Sequence, residues 1–334
     1  MRSRTKIIFL VFAFILSYAV LNTDLDIDRL TGDTTLDSDG QIPSEISKAP
    51  IVLFCPRDSC GQNLAYMINS SEKVHCAFFD LDIPEVIGAL EMKNALVVVD
   101  ADNFKAAEGK ITNLRKDTRT AFMHNKFCVF DDRMVLTGSF NPTKNGDEKN
   151  DNDVIVISSE HLAENYEAEF QELWDGRFGE GDTAGNPIIT LNNNKIENYF
   201  CPEDWCANKV LKALSYANES IYFMTFSFTH DQIGDLLLEK HNQGVEIRGV
   251  FEKSQNSQYS EFEKLKRAGA DVVLDRNPAA MHHKVFIIDN KTVITGSFNP
   301  TNNADTKNDE NLLILYDPDI AQEYLSEFEY ITQN

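Results

Sequence analysis

His124 and Lys126 stand two residues apart, and so do His282 and Lys284. On an extended chain, residues i and i+2 point to the same face, so each pair presents an imidazole and an ammonium to one surface. That combination suits a phosphodiester. The ammonium neutralises a phosphate oxygen, and the imidazole attacks phosphorus or delivers a proton. A lone His-x-Lys carries no weight as a signal. Here each copy is followed at identical spacing by an aspartate, Asp131 or Asp289, and then by Gly-Ser-Phe-Asn. Ser139 and Asn141 in the first copy, and Ser297 and Asn299 in the second, are candidates to hydrogen-bond phosphate oxygens beside the lysines. Gly138 and Gly296 read as turn glycines. The aspartates lie seven residues after their histidines, an odd separation that turns them to the opposite face of a continuous strand. They are candidate catalytic residues by their place in the motif, and candidates to brace the next turn by their parity. His283 is turned away from Lys284 by the same alternation and reads as a buried or edge histidine.

The carboxylate that orients an imidazole is sought after the second motif. Glu310 is the candidate, with Asn152 at the corresponding place in the first half and Asp151 or Asp153 as substitutes. A carboxylate stabilises imidazolium and fixes its tautomer. Glu310 is therefore expected to hold His282 protonated as general acid, leaving His124 as nucleophile. In-line displacement needs a nucleophile on one side of phosphorus and an acid on the other. One strand cannot supply both, but two similar lobes can. No carboxylate cluster has metal-ligand spacing, so no metal or other cofactor is called for.

The duplication extends well beyond the motifs. Residues 123–143 read MHNKFCVFDDRMVLTGSFNPT and residues 281–301 read MHHKVFIIDNKTVITGSFNPT, an offset of 158 that also places Tyr166 on Tyr324 and Phe170 on Phe328. Upstream, FCPRDSC and FCPEDWC align with an offset of 146, so the second half holds 12 extra residues before its motif. In that half the pattern predicts helices over 209–217, 232–243 and 259–268, and strands over 221–228, 245–251, 271–274, 284–289 and 311–316. A closing helix follows from Ile320, with Ile320, Tyr324 and Phe328 on one apolar face. The matching face in the first half is Leu162, Tyr166, Phe170 and Trp174. Alternating strands and helices argue for an α/β fold with a mixed sheet flanked by helices in each half, the halves related by a pseudo-twofold axis.

At the start, Arg2, Arg4 and Lys6 precede an uncharged apolar run over 7–21. Residues 1–21 read as a signal peptide or an N-terminal membrane anchor, and 22–48 as an acidic linker. Either reading exports the body of the protein, secreted or tethered. The first lobe is drawn at 49–178, a linker at 179–198 and the second lobe at 199–334. Six cysteines fit an oxidising compartment. Cys55, Cys60, Cys201 and Cys206 are disulfide candidates, with zinc as the rival use, and Cys76 and Cys128 read as buried thiols. Net charge is -22, which repels polyanions at long range.

The two motifs resemble the signature of the phospholipase D superfamily, His-x-Lys-x4-Asp-x6-Gly-Ser-x-Asn, and both copies match it in full. The resemblance spans about 51–174 and 199–331. It implies two phospholipase D-like lobes, a metal-independent phosphohistidine mechanism and a site at the lobe interface. His124, Lys126, Asp131, Ser139 and Asn141 match the first copy, and His282, Lys284, Asp289, Ser297, Asn299 and Glu310 the second. MHHKVFIID and DENLLIL look most like the branch of mitochondrial cardiolipin hydrolases and small bacterial endonucleases, whose members carry one copy and dimerise. One chain here would form a complete site as a monomer. Three functions follow as expectations. The first is phospholipase D-type hydrolysis of phospholipid, with membrane association through the N-terminal segment. The second is cleavage of nucleic-acid phosphodiesters. The third is a non-catalytic surface protein of the same fold.

Overall fold

A computed structural model describes residues 41–333. The expected signal or anchor segment, 1–21, and most of the 22–48 linker lie outside the described residues. Among the described residues, no helix is long and apolar enough to cross a membrane.

Two mixed sheets carry the fold, and they share one topology. The first runs, edge to edge, Ile51–Cys55, Asn152–Ser158, Met134–Gly138, Lys126–Phe130, Val74–Phe78, Leu96–Val99 and Leu114–Lys116. The second repeats it as Asn194–Cys201, Glu310–Leu315, Thr292–Gly296, Lys284–Ile288, Ser220–Thr225, Glu246–Phe251 and Asp271–Leu274. In each, the last three strands run parallel and the others antiparallel. The fold class expected from the alternating pattern is the one observed.

Two segments assigned to linkers are partly strand. Ile188–Leu191 pairs with Asn194–Cys201, and Ser44–Glu45 pairs with Ile188–Leu191, extending the second sheet to nine strands. Ile189 and Leu191, two apart on one strand, and Ile196, opposite Ile189 on the next, bury themselves against the core between the sheets and so recruit this stretch. The 12 extra residues of the second half fall in its helical crossovers. Asp231–Asn242 replaces the shorter Pro84–Met92, and Phe262–Arg267 stands where the first half has a single 3₁₀ turn, Phe104–Ala106.

The two long helices, Glu160–Asp175 and Pro318–Gln333, lie on the inner faces of the sheets. Their apolar stripes meet in one shared core. Tyr166 packs edge-on against Phe127 and Phe200, and Phe328 stacks on Tyr222 at 5.3 Å. Trp174 is only partly buried and caps that core. Ser159 caps the first of these helices by accepting the Leu162 N–H, and Gly176 ends it in a left-handed conformation.

Each motif strand turns back through two residues with positive φ, Asp131-Asp132 and Asp289-Asn290. That is the hairpin geometry aspartate and asparagine tolerate best. Gly138 and Gly296 end the return strands at φ 139° and 133°. A Cβ at either would collide with the carbonyl oxygen of Asp153 or Asn311 on the neighbouring strand, so no other residue fits there.

Three disulfides are present: Cys55–Cys60, Cys201–Cys206 and Cys76–Cys128. The third corrects the reading of Cys76 and Cys128 as free buried thiols. They are directly opposed on the paired strands Val74–Phe78 and Lys126–Phe130, a register that no spacing in the sequence discloses. Three disulfides fit an extracytoplasmic environment.

Candidate active site

The two motifs converge because the halves trade strand ends. The His124 N–H donates to the Asp309 carbonyl of the second half at 2.9 Å, and the His282 N–H donates to the Asp151 carbonyl of the first half at 2.8 Å. Met123 and Asp309, and Asp151 and Met281, form the corresponding parallel bridges. Both histidines thus lie at the seam, 7% and 8% exposed. Lys126 and Lys284 begin their strands beside them, and each ammonium donates to the carbonyl of its own motif's histidine, at 2.6 Å and 2.8 Å.

Each imidazole is held by the other half. His124 Nδ1 lies 2.7 Å from Glu310 Oε2. His282 Nδ1 lies 2.8 Å from Asn152 Oδ1 and 3.1 Å from the Ser139 carbonyl. This corrects the expected pairing, since Glu310 orients His124 and not His282. The strand that carries Glu310 crosses the seam alongside the first motif, and a sequence does not show which histidine a strand passes. In each ring Nδ1 is engaged, and Nε2 makes no hydrogen bond to the described residues.

The serines of the two Gly-Ser-Phe-Asn segments do not face a phosphate. Both are fully buried. Ser297 Oγ donates to Glu310 Oε2 at 2.7 Å and accepts the Asn311 N–H. Ser139 Oγ accepts the Asp153 N–H at 2.9 Å and lies 3.4 Å from Asn152 Oδ1. They position Glu310 and Asn152, and act on the histidines through them. Asn141 and Asn299 are half-buried, and their Oδ1 atoms have no partner among the described residues, so these amides are the part of the segment left for a ligand.

Asp131 and Asp289 are not at the site. At the far ends of the motif strands, Asp131 accepts the N–H groups of Glu72 and Lys73, and Asp289 those of Asn218, Glu219 and Ser220. They tie each hairpin to the start of the next strand. The four cysteines of the two short loops pair locally, with Cys55 opposite Asn152 and Cys201 opposite Glu310 in strand register, so the loops flank the residues that hold the histidines.

Sequence reasoning missed two aromatic residues. Phe79 packs on His124 with ring centres 4.8 Å apart, and Phe226 packs on His282 at 4.6 Å. Each ring also lies 5.1 Å from the Nζ of the neighbouring lysine. The upstream offset of 146 places Phe79 on Thr225, one residue short of Phe226, and the two rings have no periodicity of their own.

Burial sets the electrostatics. It pushes both imidazoles well below their ordinary pKa, with the two ammoniums adding to the effect. Burial lowers Lys126 to about 7 and Lys284 well below its usual value, and raises Glu310 to about 8. Four basic groups thus crowd a desolvated seam in which Glu310, and more weakly Asp80, Asp100 and Asp153, supply the opposing charge. Among the described residues no cluster of three or more His, Cys, Asp or Glu side chains could hold a metal.

Behind the histidines lie two buried networks that the pseudo-twofold axis superimposes but chemistry separates. His283 Nδ1 meets Asp153 Oδ1 at 3.1 Å and His283 Nε2 lies 3.4 Å from Glu327, while Asp153 also accepts from Thr295 and Tyr324. At the equivalent places, Asn125 accepts from Asn311 at 2.8 Å and donates to Glu169, while Asn311 accepts from Thr137 and Tyr166. Burial opposes the charge on His283, but Asp153 and Glu327 outweigh it and raise its pKa to about 9. Because this folded-state value lies above the ordinary 6.5, the stabilisation from His283 is complete below pH 6.5 and is lost as pH rises through 9. His283→Ala is expected to cost about 3 kcal/mol in denaturant unfolding near pH 6, by leaving the buried Asp153 without its cationic partner and Glu327 with Arg57 alone. The double variant His283→Asn with Asp153→Asn copies the amide pair of the other half and should recover much of that loss. A double variant no more stable than His283→Ala would refute the account.

The cardiolipin synthase, PLD-like domain family matches residues 95–174 and 210–332. A phospholipase D of Rickettsia conorii is 37% identical over 139 residues, which is 41% of this chain and 70% of that protein. A mitochondrial cardiolipin hydrolase of Chlamydomonas reinhardtii is 37% identical over 123 residues, 36% of this chain and 55% of that one. The crystal structure of the phosphatidylserine synthase of Haemophilus influenzae superposes with a TM-score of 0.64 over 85% of this chain and 86% of its own, at 11% identity. That last likeness is one of fold.

Proposed function

The chain belongs to the phospholipase D superfamily and is a phosphodiester hydrolase, and from that premise we propose that it removes head groups from phospholipids through a phosphohistidine at His124. One observation carries this reading: each imidazole is anchored at Nδ1 by the opposite half, which leaves both Nε2 atoms for substrate beside two lysines. His124 Nε2 attacks phosphorus while Lys126 and Lys284 hold the non-bridging oxygens. As the P–N bond forms, positive charge on the His124 ring is balanced by Glu310. The P–O bond to the head group breaks, and His282 gives that oxygen its proton. His282 has only neutral oxygens on Nδ1, so its imidazolium is the more acidic of the two and the readier donor. It becomes charged when the phosphodiester anion enters. Neutral His282 then deprotonates water, which displaces His124 and closes the cycle.

Lipid is favoured over nucleic acid by the net charge of -22, by the relatives named phospholipase D and cardiolipin hydrolase, and by an export-type N-terminal segment that would bring the body of the protein to a membrane surface, secreted or tethered. One chain carries both halves of the site, so we infer activity as a monomer. The test is release of head group from phospholipid vesicles with EDTA present, beside nicking of plasmid and single-stranded DNA under the same conditions. Head-group release without nicking is the expected result. Nicking without head-group release would replace the lipid reading with the nuclease one.

A further inference from the structure

The two mouths of the cleft are unlike. The segments leading into the two motifs follow one backbone course, since the Asp309 N–H donates to the Phe122 carbonyl and the Asp151 N–H to the Ala280 carbonyl, both at 2.9 Å. At these equivalent positions the side chains differ. Phe122 is 40% exposed and packs edge-on against Phe79 with centres 5.3 Å apart, and Phe79 in turn packs on His124. On the other side Phe226 packs on His282, and Ala280 extends it no further. Near Ala280, Asn277 donates to the Lys149 carbonyl and to Asp151, and the exposed Arg276 lines a hollow with Asp151, Asp275, Pro278, Tyr330 and Ile331.

We propose that Phe122 fixes which way round a phosphodiester lies in the cleft, by seating an apolar substituent against the Phe122–Phe79 wall and leaving the His282 side to the polar alcohol that departs. This rests on the phosphohistidine reading above. In-line attack by His124 puts the leaving oxygen on the far side of phosphorus, beside His282. The leaving alcohol therefore occupies the Ala280 mouth. The retained substituent lies in the equatorial plane with the two non-bridging oxygens, free to fold back along the aromatic wall. The bond formed is P–Nε2 of His124, and the bond broken is P–O to the polar alcohol, which takes the His282 proton. The apolar group stays on phosphorus until water displaces His124. Two carboxylates, Asp80 and Asp82, follow Phe79 on the aromatic side. A single phosphodiester with an apolar arm meets their repulsion with one charge, whereas each flanking phosphate of a polynucleotide would add another.

Three 4-nitrophenyl phosphodiesters test this in EDTA, with methyl, dodecyl or thymidine as the retained group and the dodecyl ester kept below its micelle concentration. The wild-type chain should prefer dodecyl to methyl in kcat/KM. F122A should lower that ratio by about tenfold, the loss of one or two methylenes' worth of burial, and F122L should keep most of it. An unchanged ratio in F122A would overturn the proposal. So would an equal loss on methyl and dodecyl esters in both variants, which would make Phe122 a prop for Phe79 and His124. A thymidine preference abolished by F122A would assign the wall to a base instead. Absence of head-group release from vesicles, with a Phe122-dependent dodecyl preference intact, would sink the lipid reading alone.

Discussion

His124→Ala is expected to lower kcat by about 10⁴-fold or more on every phosphodiester the wild type cleaves, and to leave no phosphorylated protein in an acid-free quench. The size of the loss follows from the role. His124 Nε2 is the bond-forming atom, and neither lysine nor water stands in for a ring that Glu310 aims at 2.7 Å. Removing the ring takes out a desolvated titratable group, so the unfolding midpoint should stay close to that of the wild type. Turnover within tenfold of wild type on a substrate with an alkyl leaving group would end the phosphohistidine proposal.

His282→Ala should behave differently, and the difference assigns the roles. On substrates with alkyl leaving groups the expected loss is again large, about 10²- to 10⁴-fold, because the departing alkoxide has no proton donor. With 4-nitrophenolate as leaving group no proton is needed. His282→Ala should then release one nitrophenolate per chain in a burst and stall, since no base activates water against the P–N bond. Stopped-flow absorbance reads the burst, and phosphorus NMR of the stalled protein reads the phosphohistidine. If His124→Ala gives the burst and His282→Ala does not, the two histidines have each other's role.

Much of the architecture was legible in the sequence because it is written twice. The 158-residue offset places the strands Lys126–Phe130 and Lys284–Ile288, their return strands and the closing helices with their Tyr166 and Tyr324 stripes. The histidine and lysine pairs are equally plain, since alternation on an extended chain decides which side chains share a face. What crosses the seam was not legible. Glu310 and His124 are 186 residues apart, and only the exchange of strand ends brings them together. The partners of the two serines were hidden for a related reason. Ser139 and Ser297 look like phosphate donors until the neighbouring strands supply N–H groups and side chains that occupy their hydroxyls. Asp131 and Asp289 keep their spacing because a hairpin with two left-handed residues needs such side chains there, which gives a catalytic-looking motif a structural member. Cys76 and Cys128 follow the same rule. Strand partners 52 residues apart cannot be named before the sheet order is known.

The crossed support of the two imidazoles has a consequence for how the gene can change. Glu310 serves the histidine of the other copy, and so does Asn152, while the His283–Asp153 pair likewise joins residues from both copies. Gene conversion that made one repeat match the other would give both histidines the same support, two carboxylates or two amides, and would leave either Asp153 opposite an asparagine in place of His283 or His283 opposite an asparagine in place of Asp153. The repeats are therefore bound to diverge as complements, each substitution in one answered in its counterpart, although their outlines stay superimposable.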